Sequence, residues 1–485
     1  MSQPNFNSTP QKPELSILKA MIPVFALVGM LAYNVFVYED DALGGSNQFI
    51  LLLGAAVAAI VGAFNGVNYD AMVEEVSKNI KATTGPILIL LMVGALAGTW
   101  LLSGVIPTMI YYGLQVLNPT IFLAACVVIC AVISIATGSS WTTSATVGIA
   151  LIGIANALDV SLGMTAGAVL SGAYFGDKLS PMSDTTNLAP AMAGTDLFTH
   201  IRYMTITTVP TIVVTLIVFI IIGLTLDTSG QVSADVILAD IKASFHISPW
   251  LFVVPLVVIG LIIKKTPPLI ALLIGTLLAA VFALIFQPDL VQFISGGSQL
   301  NFKNAYVGLM NAITTDITIP TDNKNLQDLF SAGGMKGMLG TIWLIICAMV
   351  FGGIMDAIGA LEAISKALLN LFHSTFGLFA STVASCLALN ATASDQYLAI
   401  VVPGKMFAKA YKDKGLAPEN LSRTLEDSGT VTSVLIPWNT CGAYHSGVLG
   451  VPVVDYFVYA MFSYLSPFMT LLFAAIGYKI KMITK

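Results

Sequence analysis

The sequence predicts an all-α polytopic membrane protein with about 12 membrane segments, arranged as two inverted repeats that contain broken or re-entrant helices. Three observations predict this fold class. The composition is too apolar for a soluble chain, apolar runs of helical membrane-span length recur along the whole sequence, and polar interruptions occur in two similar regions far apart in the chain.

The composition excludes most soluble classes. Of the 485 residues, 56% are hydrophobic and only 10% are charged, whereas soluble domains carry about 25% charged residues. The mean hydropathy is +0.86. A soluble enzyme, a nucleic-acid-binding protein, a disordered protein and a disulfide scaffold are therefore excluded, and the small net charge of −5 gives no reason to expect nucleic acid as a partner. The lipid bilayer is the expected surrounding.

Apolar runs follow one another along the chain, and some are too short or too interrupted to be plain spanning helices. They lie near 15–37, 48–66, 86–105, 119–136, 143–158, 160–176, 204–226, 249–263, 268–286, 338–357, 376–391, 395–410, 431–450 and 453–478. Segments of about 10 residues with alternating polarity, typical of outer-membrane strands, do not occur. The first run is long for a signal peptide and no small-residue cleavage site follows it, so we expect it to be retained.

The chain divides into four parts. Residues 1–13 are a polar tail, 14–226 form an N-terminal membrane half, 227–337 hold connecting helices and a polar loop, and 338–485 form a C-terminal membrane half. Lysines and arginines that flank the apolar runs fit one side of the membrane. Because cytoplasmic loops carry an excess of these residues, we expect both termini in the cytoplasm of a bacterial cell and the protein in its inner membrane.

Two polar interruptions recur in the same order in both halves. Residues 136–140 are followed about fifty residues later by 184–187, and residues 390–395 are followed at the same distance by 437–440. Asn187 and Asn439 lie 252 positions apart, and Asp177 and Asp427 lie 250 apart. This matched order is expected of transporter halves related by inverted symmetry, in which broken helices expose N–H groups, carbonyls and hydroxyls near the membrane midplane.

The first half supplies oxygen ligands for a small cation. Candidate ligands are Ser139, Ser140, Asp177, Asp184, Thr185, Thr186 and Asn187. Pro181 and Pro190 prevent one continuous helix across this stretch. Carboxylate, hydroxyl and amide oxygens are ligands that hard cations prefer. The alternative interpretations are a tight helix–helix interface around 137–144 and an ordinary polar loop at 177–190.

The second half repeats the donor types more sparsely. Its candidate ligands are Asn390, Thr392, Asp395, Asn439 and Thr440. Ionisable side chains inside membrane segments are costly and mark functional sites, although Asp395 could equally be a helix N-cap. Glu426 and Asp427 are further candidates, or caps of the segment that follows them. His445 is either a proton-linked group or a structural histidine.

The motifs of other classes are absent from the sequence. There is no phosphate-binding Walker loop, no HExxH, no paired CxxC and no Gly-x-Ser-x-Gly turn. The array of regularly spaced arginines typical of voltage sensors and the TVGYG filter are also missing. We therefore expect a secondary transporter rather than an enzyme, without a cofactor. A passive channel remains an alternative without a positive signature.

The polar motifs resemble one family closely. The stretches GSSWTTSAT at 138–146, SGAYFGDKLSPMSDTTNLAP at 171–190, GTDLFTHI at 194–201 and PWNTCGA at 437–443 are similar to the NhaC-type sodium/proton antiporters of the ion transporter superfamily. The resemblance implies a bacterial inner-membrane antiporter that exchanges Na⁺ for H⁺. The same family includes exchangers of malate and protons for lactate and sodium, so small organic acids remain possible substrates. We also expect a homodimer.

Physical chemistry suggests how one site can exchange the two ions. A carboxylate deep in the membrane needs a cation, whereas a protonated carboxyl group holds Na⁺ poorly. We hypothesise that Na⁺ and H⁺ compete for one site built on both interruptions. Asp184 and Asp177 are the first choices in the first half, and Asp184 and Asp395 are the predicted Na⁺ ligands.

Overall fold

The computed structural model describes residues 14–38, 45–116, 119–226, 234–321, 330–371 and 374–483. The predicted tail 1–13 and part of the predicted polar loop lie outside these residues. The described chain is almost wholly helical, in agreement with the predicted all-α class. One short antiparallel hairpin pairs β1 (Ile317–Thr318) with β2 (Ser331–Ala332) in the connecting region.

The α-helices follow one another in chain order and are numbered here. They are α1 (Ile17–Tyr38), α2 (Ser46–Phe64), α3 (Tyr69–Ala82), α4 (Thr84–Leu102), α5 (Val105–Val116), α6 (Pro119–Thr137), α7 (Ser140–Thr143), α8 (Ile149–Ala157), α9 (Leu162–Leu179), α10 (Asp184–Ala193), α11 (Leu197–Thr225), α12 (Ala234–Ser244), α13 (Val253–Ile263), α14 (Pro268–Phe286), α15 (Pro288–Ser295), α16 (Phe302–Thr314), α17 (Gly334–Gly337), α18 (Leu339–Ala357), α19 (Ala360–Leu371), α20 (Thr375–Thr392), α21 (Gln396–Asp413), α22 (Pro418–Leu425), α23 (Thr440–Leu449), α24 (Val453–Tyr456) and α25 (Met461–Ala475).

Irregular helical turns interrupt both halves. π-Helical turns cover Ser144–Gly148 and Glu426–Thr430, and 3₁₀ turns cover Pro249–Phe252 and Ser433–Leu435. π-Turns inside α-helices are often found at functional sites. Both π-turns lie next to the polar interruptions that the sequence singles out.

Eight helical segments among the described residues are long and apolar enough to cross a membrane, and a bent pair would make a ninth. They are Ile17–Tyr38, Ser46–Phe64, Thr84–Leu102, Pro119–Thr137, Leu197–Thr225, Pro268–Phe286, Gly334–Ala357 and Thr375–Thr392, with the pair Ile237–Ser244 and Pro249–Ile263 bent by 85°. The chain is thus a polytopic membrane protein with broken helices. The expected number of about 12 segments is not confirmed, because several apolar runs form short or interrupted helices.

The helix order of α4 to α11 recurs in α18 to α25. From α6 onward the equivalent positions are 256 apart: α10 begins at Asp184 and α23 at Thr440, and their left-handed C-caps are Gly194 and Gly450. Before α6 the offset is 255, as for Gly104 and Gly359, which both have positive φ. An offset that changes by only one residue through successive helices and turns identifies an internal repeat.

The structure corrects the pairing of residues that the sequence spacing suggested. Asn439 is the N-cap of α23, and its equivalent is Ser183, the N-cap of α10, rather than Asn187. Asp427 corresponds in the same way to Ser171 and not to Asp177. The sequence spacing was misleading because it paired residues of the same type that stand four and six positions out of register with the repeat.

Close helix packing positions the interruptions. Helix α6 lies directly against α9, where a Cβ added at Gly172 would come within 2.2 Å of the Val127 carbonyl oxygen. Helix α10 of the first repeat packs on α21 and α22 of the second, and α23 packs on the π-turn Ser144–Gly148 of the first. Each repeat therefore lays its short helix against the other repeat.

Candidate functional site

The polar interruptions of both repeats meet at one cavity of about 570 Å³. From the first repeat its wall includes Gly138, Ser139, Asp177, Asp184 and Thr185. From the second repeat it includes Asp395, Gln396, Tyr397 and Thr440. The remaining wall comes from the junction of α3 with α4 and from the turn between α13 and α14, where Lys265 lies. The predicted convergence of the two interruptions is thus seen in the structure.

The first interruption begins where α6 ends. Gly138 has φ +70°, a left-handed conformation that glycine adopts without strain. Ser139 then caps α7, since its hydroxyl accepts a hydrogen bond from the Thr142 N–H at 3.1 Å. The Asp177 carboxylate of α9 accepts from the Ser140 N–H at 3.0 Å and from the Ser140 hydroxyl at 2.6 Å. Asp177 therefore ties the two interruptions of this repeat together at the cavity wall.

The chain between α9 and α10 turns at Pro181. The Asn187 amide donates to the Pro181 carbonyl at 3.0 Å and to the Ser183 carbonyl at 2.7 Å, and so holds this turn closed. The Thr186 hydroxyl lies within 3.2 Å of the carbonyls of both Asp177 and Lys178. Asp184 is exposed at the first position of α10 and lines the cavity.

The second repeat builds its interruptions mainly with amides. Asp395 caps α21, with one carboxylate oxygen accepting from the N–H groups of Tyr397 and Leu398 at 2.8 and 3.0 Å. The Asn439 amide donates to the Asn390 carbonyl at 3.0 Å, while the Asn390 amide donates to the Gly429 carbonyl at 2.7 Å. Asp395 therefore fits the N-cap interpretation and also lines the cavity.

Six of the twelve predicted site residues line the cavity, and the other six lie outside its lining. Ser139, Asp177, Asp184, Thr185, Asp395 and Thr440 line the cavity. The residues outside its lining bond to backbone carbonyls or, in the case of Ser140, to the Asp177 carboxylate; they are Ser140, Thr186, Asn187, Asn390, Thr392 and Asn439. Thr392 belongs to this second group because its hydroxyl bonds back to the Ala388 carbonyl of its own helix. Whether the lining residues bind an ion stays a prediction.

Four helices start at the cavity, and the protein's own side chains cap them. Free helix N-termini attract anions, and at each of these ends a side chain already accepts a hydrogen bond from one or two N–H groups. The acceptors are Ser139 for Thr142, Ser183 for Thr186, Asp395 for Tyr397 and Leu398, and Asn439 for Cys441. The lining side chains that these four caps and their neighbours offer a ligand carry mainly carboxylate and hydroxyl oxygens.

The cavity carries more acidic than basic groups. Within the described part of the chain its lining includes three carboxylates, Asp177, Asp184 and Asp395, and one ammonium group, Lys265. No three carboxylate, imidazole or thiol side chains of the described residues stand close enough to hold one metal ion together. A bound cation would therefore combine one or two carboxylates with hydroxyl and carbonyl oxygens.

A buried group of charges lies behind the cavity. Lys178 forms an ion pair with Asp427, and neither side chain is exposed to solvent. Glu426 is equally buried and accepts a hydrogen bond from the Thr185 hydroxyl at 3.0 Å. The interpretation of Glu426 and Asp427 as caps is wrong, because both lie in the π-turn and contact the first repeat. In the sequence, the only sign of a functional role for Glu426 and Asp427 is that they directly precede an apolar run. That sign does not identify Lys178 as the partner of Asp427.

Arg423 and His445 are two further polar side chains that are buried in unusual surroundings. Arg423 is fully buried with its guanidinium group 4.7 Å from the Tyr203 ring. His445 is enclosed by Trp141, Tyr174 and Tyr444, and neither of its ring nitrogens has a hydrogen-bond partner among the described residues. Its proton-linked role remains a prediction.

Comparisons with known proteins identify the family. The family model described as "Na+/H+ antiporter family" matches residues 172–478. The Na(+)/H(+) antiporter NhaC of Alkalihalophilus pseudofirmus is 36% identical over 427 residues, which cover 88% of this chain and 89% of that protein. The Malate-2H(+)/Na(+)-lactate antiporter of Bacillus subtilis is 36% identical over 440 residues, covering 89% and 87%. The Arginine/ornithine antiporter ArcD of Halobacterium salinarum is 33% identical over 469 residues, covering 96% and 93%.

All three relatives are named as antiporters, and each match extends over most of both chains. The resemblance inferred from the polar motifs is therefore confirmed. The chain belongs to the Na⁺/H⁺ antiporter family of membrane transporters.

Proposed function

We propose that this protein is a secondary active antiporter that exchanges Na⁺ for H⁺ across a bacterial inner membrane, with both termini in the cytoplasm. The observation that carries the proposal is the cavity at which the interruptions of the two repeats meet. Its acidic lining and the relative named as a Na(+)/H(+) antiporter favour a small cation as cargo.

The charge of the lining favours a cation over an anion. Three carboxylates face one lysine, Lys265, among the described lining residues. Side-chain caps already accept hydrogen bonds from some of the N–H groups at the helix N-termini, which leaves less of their attraction for an anion. An organic dianion would have to overcome the repulsion of Asp177, Asp184 and Asp395, whereas Na⁺ would be attracted by them.

The exchange follows from competition at the carboxylates. In the ionised form, Asp184 and Asp395 bind Na⁺, with Asp177 and the hydroxyls of Ser139, Thr185 and Thr440 contributing further oxygens. Protonation removes the charge that holds the ion, so a proton arriving from one side releases Na⁺. If the repeats rearrange readily only when the site holds one cation or the other, the two fluxes are coupled.

Purified protein in proteoliposomes tests this function. A pH-sensitive dye is enclosed in the vesicles, and an inward Na⁺ gradient is applied. We expect protons to leave the vesicles, with Li⁺, K⁺ and choline gradients serving as ion comparisons. Proton movement that does not depend on Na⁺ or Li⁺, or large currents without exchange, would reject the antiport.

A Na⁺-coupled organic anion exchanger is the second candidate. It is favoured by the relative named for malate and lactate and by a cavity of about 570 Å³, which is spacious for a bare ion. Counterflow separates the two functions. If Na⁺-driven proton movement occurs only when malate or lactate is present, the organic anion exchanger replaces the Na⁺/H⁺ antiporter.

A further inference from the structure

The ion pair between Lys178 and Asp427 joins the two repeats at a place that does not line the cavity. Lys178 belongs to the last turn of α9, next to Asp177, whereas Asp427 belongs to the π-turn that follows α22. Both side chains are fully buried. Because burying two charges is costly, such a pair needs a good set of additional hydrogen bonds to be tolerated.

Asp427 is surrounded by hydroxyl groups from two other helices. One carboxylate oxygen accepts hydrogen bonds from the Thr207 hydroxyl of α11 at 2.7 Å and from the Thr470 hydroxyl of α25. The other oxygen receives the Lys178 ammonium and, at 3.3 Å, the Ser466 hydroxyl. The Ser466 oxygen in turn lies 3.1 Å from the ammonium nitrogen. The ammonium thus contacts two oxygens, Asp427 Oδ1 and Ser466 Oγ, while the hydroxyls of Thr207 and Thr470 bind the other carboxylate oxygen. Carboxylate and hydroxyl oxygens are ligands that hard cations prefer.

The ammonium group also faces more negative charge than Asp427 alone. Glu426, the neighbouring buried carboxyl group, lies within electrostatic range of both the Lys178 ammonium and Asp177 of α9. His200 of α11 lies near both Lys178 and Asp427 and hydrogen-bonds Ser422 at 2.8 Å. Without Lys178, Asp427 would lose the ammonium group with which it is paired, and Glu426 would remain next to it as a second buried carboxyl group.

We propose that the Asp427 pocket is a second cation site, in which the tethered ammonium of Lys178 takes the place of a Na⁺ ion. The pocket has the oxygen donors of an ion site, but the protein fills it with its own cation. The cavity beside it then keeps the exchangeable ion. This inference rests on the proposed function only for the choice of Na⁺ as the ion that the pocket accepts.

Removing the ammonium tests the proposal. In Lys178→Met the pocket is expected to bind Na⁺, so the purified variant at alkaline pH should take up one more ²²Na⁺ per chain than the wild type. Its Tm should rise with NaCl by a few degrees more than that of the wild type, relative to choline chloride, because a ligand that binds only the folded state stabilises it. The double variant Lys178→Met/Asp427→Asn should lose both effects.

Lys481→Met is a matched control. Lys481 pairs with Glu419 at 2.5 Å near the start of α22, but its side chain is 47% exposed, so its ammonium group, unlike that of Lys178, does not occupy an enclosed pocket. We expect the same Na⁺ response as in the wild type. If Lys178→Met folds poorly in choline chloride, Na⁺ should restore a monodisperse protein.

Three results would overturn the proposal. The first is that Lys178→Met binds no more Na⁺ than the wild type. The second is that the double variant still binds the extra Na⁺ ion. The third is that Na⁺ does not restore a monodisperse Lys178→Met protein although the double variant folds. These measurements are independent of proton movement in proteoliposomes. A wild type without Na⁺/H⁺ exchange would reject the proposed function and leave the result for the Asp427 pocket standing.

Discussion

The turn that precedes α10 and the turn that precedes α23 occupy equivalent positions in the two repeats, yet they differ in exposure and in chemistry. In the first repeat Ser183 caps the helix and the exposed carboxylate of Asp184 follows it into the cavity. In the second repeat Asn439 is the cap and Thr440 follows it, and the Trp438 indole N–H donates to the Ala391 carbonyl at 2.8 Å. The first turn therefore places a charged side chain at the cavity, whereas the second turn is held in place by hydrogen bonds between uncharged groups.

The same contrast is found at the earlier interruption of each repeat. Gly138 takes a left-handed conformation without a side chain, whereas its equivalent Ser394 takes it with one, at φ +58°. The amides of Asn390 and Asn439 bind the backbone on either side of the second interruption. The backbone architecture is therefore shared, and we infer that the first repeat supplies most of the ion chemistry while the second supplies a firmer support.

The largest expected effect comes from removing a carboxylate from the cavity wall, first in the first repeat and then in the second. Asp184→Asn should abolish Na⁺-driven proton movement in proteoliposomes, because the amide cannot exchange a proton or attract Na⁺ as a carboxylate does. Asp395→Asn should also abolish it, although asparagine preserves the helix cap and hence the fold. Membrane insertion and elution on size exclusion show that the variants remain folded.

Asp159→Asn is the control for these two variants. Asp159 lies in the turn after α8 at φ 53°, where asparagine is well tolerated, and it does not line the cavity. Its exchange rate should equal that of the wild type. Retained proton movement in both Asp184→Asn and Asp395→Asn would remove these carboxylates from the mechanism and leave the contrast between the repeats without functional meaning.

The next effect concerns the space at the first interruption. In Gly138→Ala the new Cβ would lie 2.6 Å from the Met182 Cβ and 2.9 Å from its carbonyl carbon, so the two interruptions of the first repeat would be forced apart. The left-handed conformation costs a further ~1–2 kcal/mol for a residue with a side chain. We expect a lower Tm and a severely reduced exchange rate. An unchanged rate would show that this contact does not shape the cavity.

The sequence was sufficient to predict the places where the helices break. Prolines, glycines and hydroxyl residues inside apolar runs have local consequences, so Gly138, Pro181 and the region of Ser394 could be recognised without a structure. The apolar runs likewise predicted the membrane helices. The number of complete crossings was harder to obtain, because a run such as 431–450 divides into turns and the short helix α23.

The roles of particular side chains were less accessible. Lys178 and Asp427 are 249 positions apart, and only the packing of α9, α11, α22 and α25 brings them together. Asn187 and Asn439 were predicted as ligands because amides can bind ions, but the same amides can bind a backbone carbonyl. Residue type alone does not decide between these uses, whereas the direction of the side chain does.

Replacing one asparagine in each of the two turns by alanine compares how much the hydrogen bonds of each turn contribute to the stability of the folded protein. In Asn439→Ala the Cys441 N–H loses its cap and the buried Asn390 carbonyl loses a donor, which should cost about 2–4 kcal/mol in total. Asn187→Ala removes two hydrogen bonds at an exposed position and should cost about 1 kcal/mol. Thermal unfolding in detergent measures both. Equal losses would contradict the view that the second turn is the firmer one.

The smallest expected effect is at Ser394. Its hydroxyl is buried without a hydrogen-bond partner among the described residues, and its backbone is left-handed. Ser394→Gly relieves that conformation, worth ~1–2 kcal/mol, and gives the unfolded chain more freedom, which costs ~0.4–1 kcal/mol. We expect a Tm equal to or slightly above that of the wild type, with exchange retained. A marked fall in Tm or in exchange rate would mean that the serine side chain stabilises the second interruption. Glycine, which the first repeat has at the equivalent position, would then be unable to replace it.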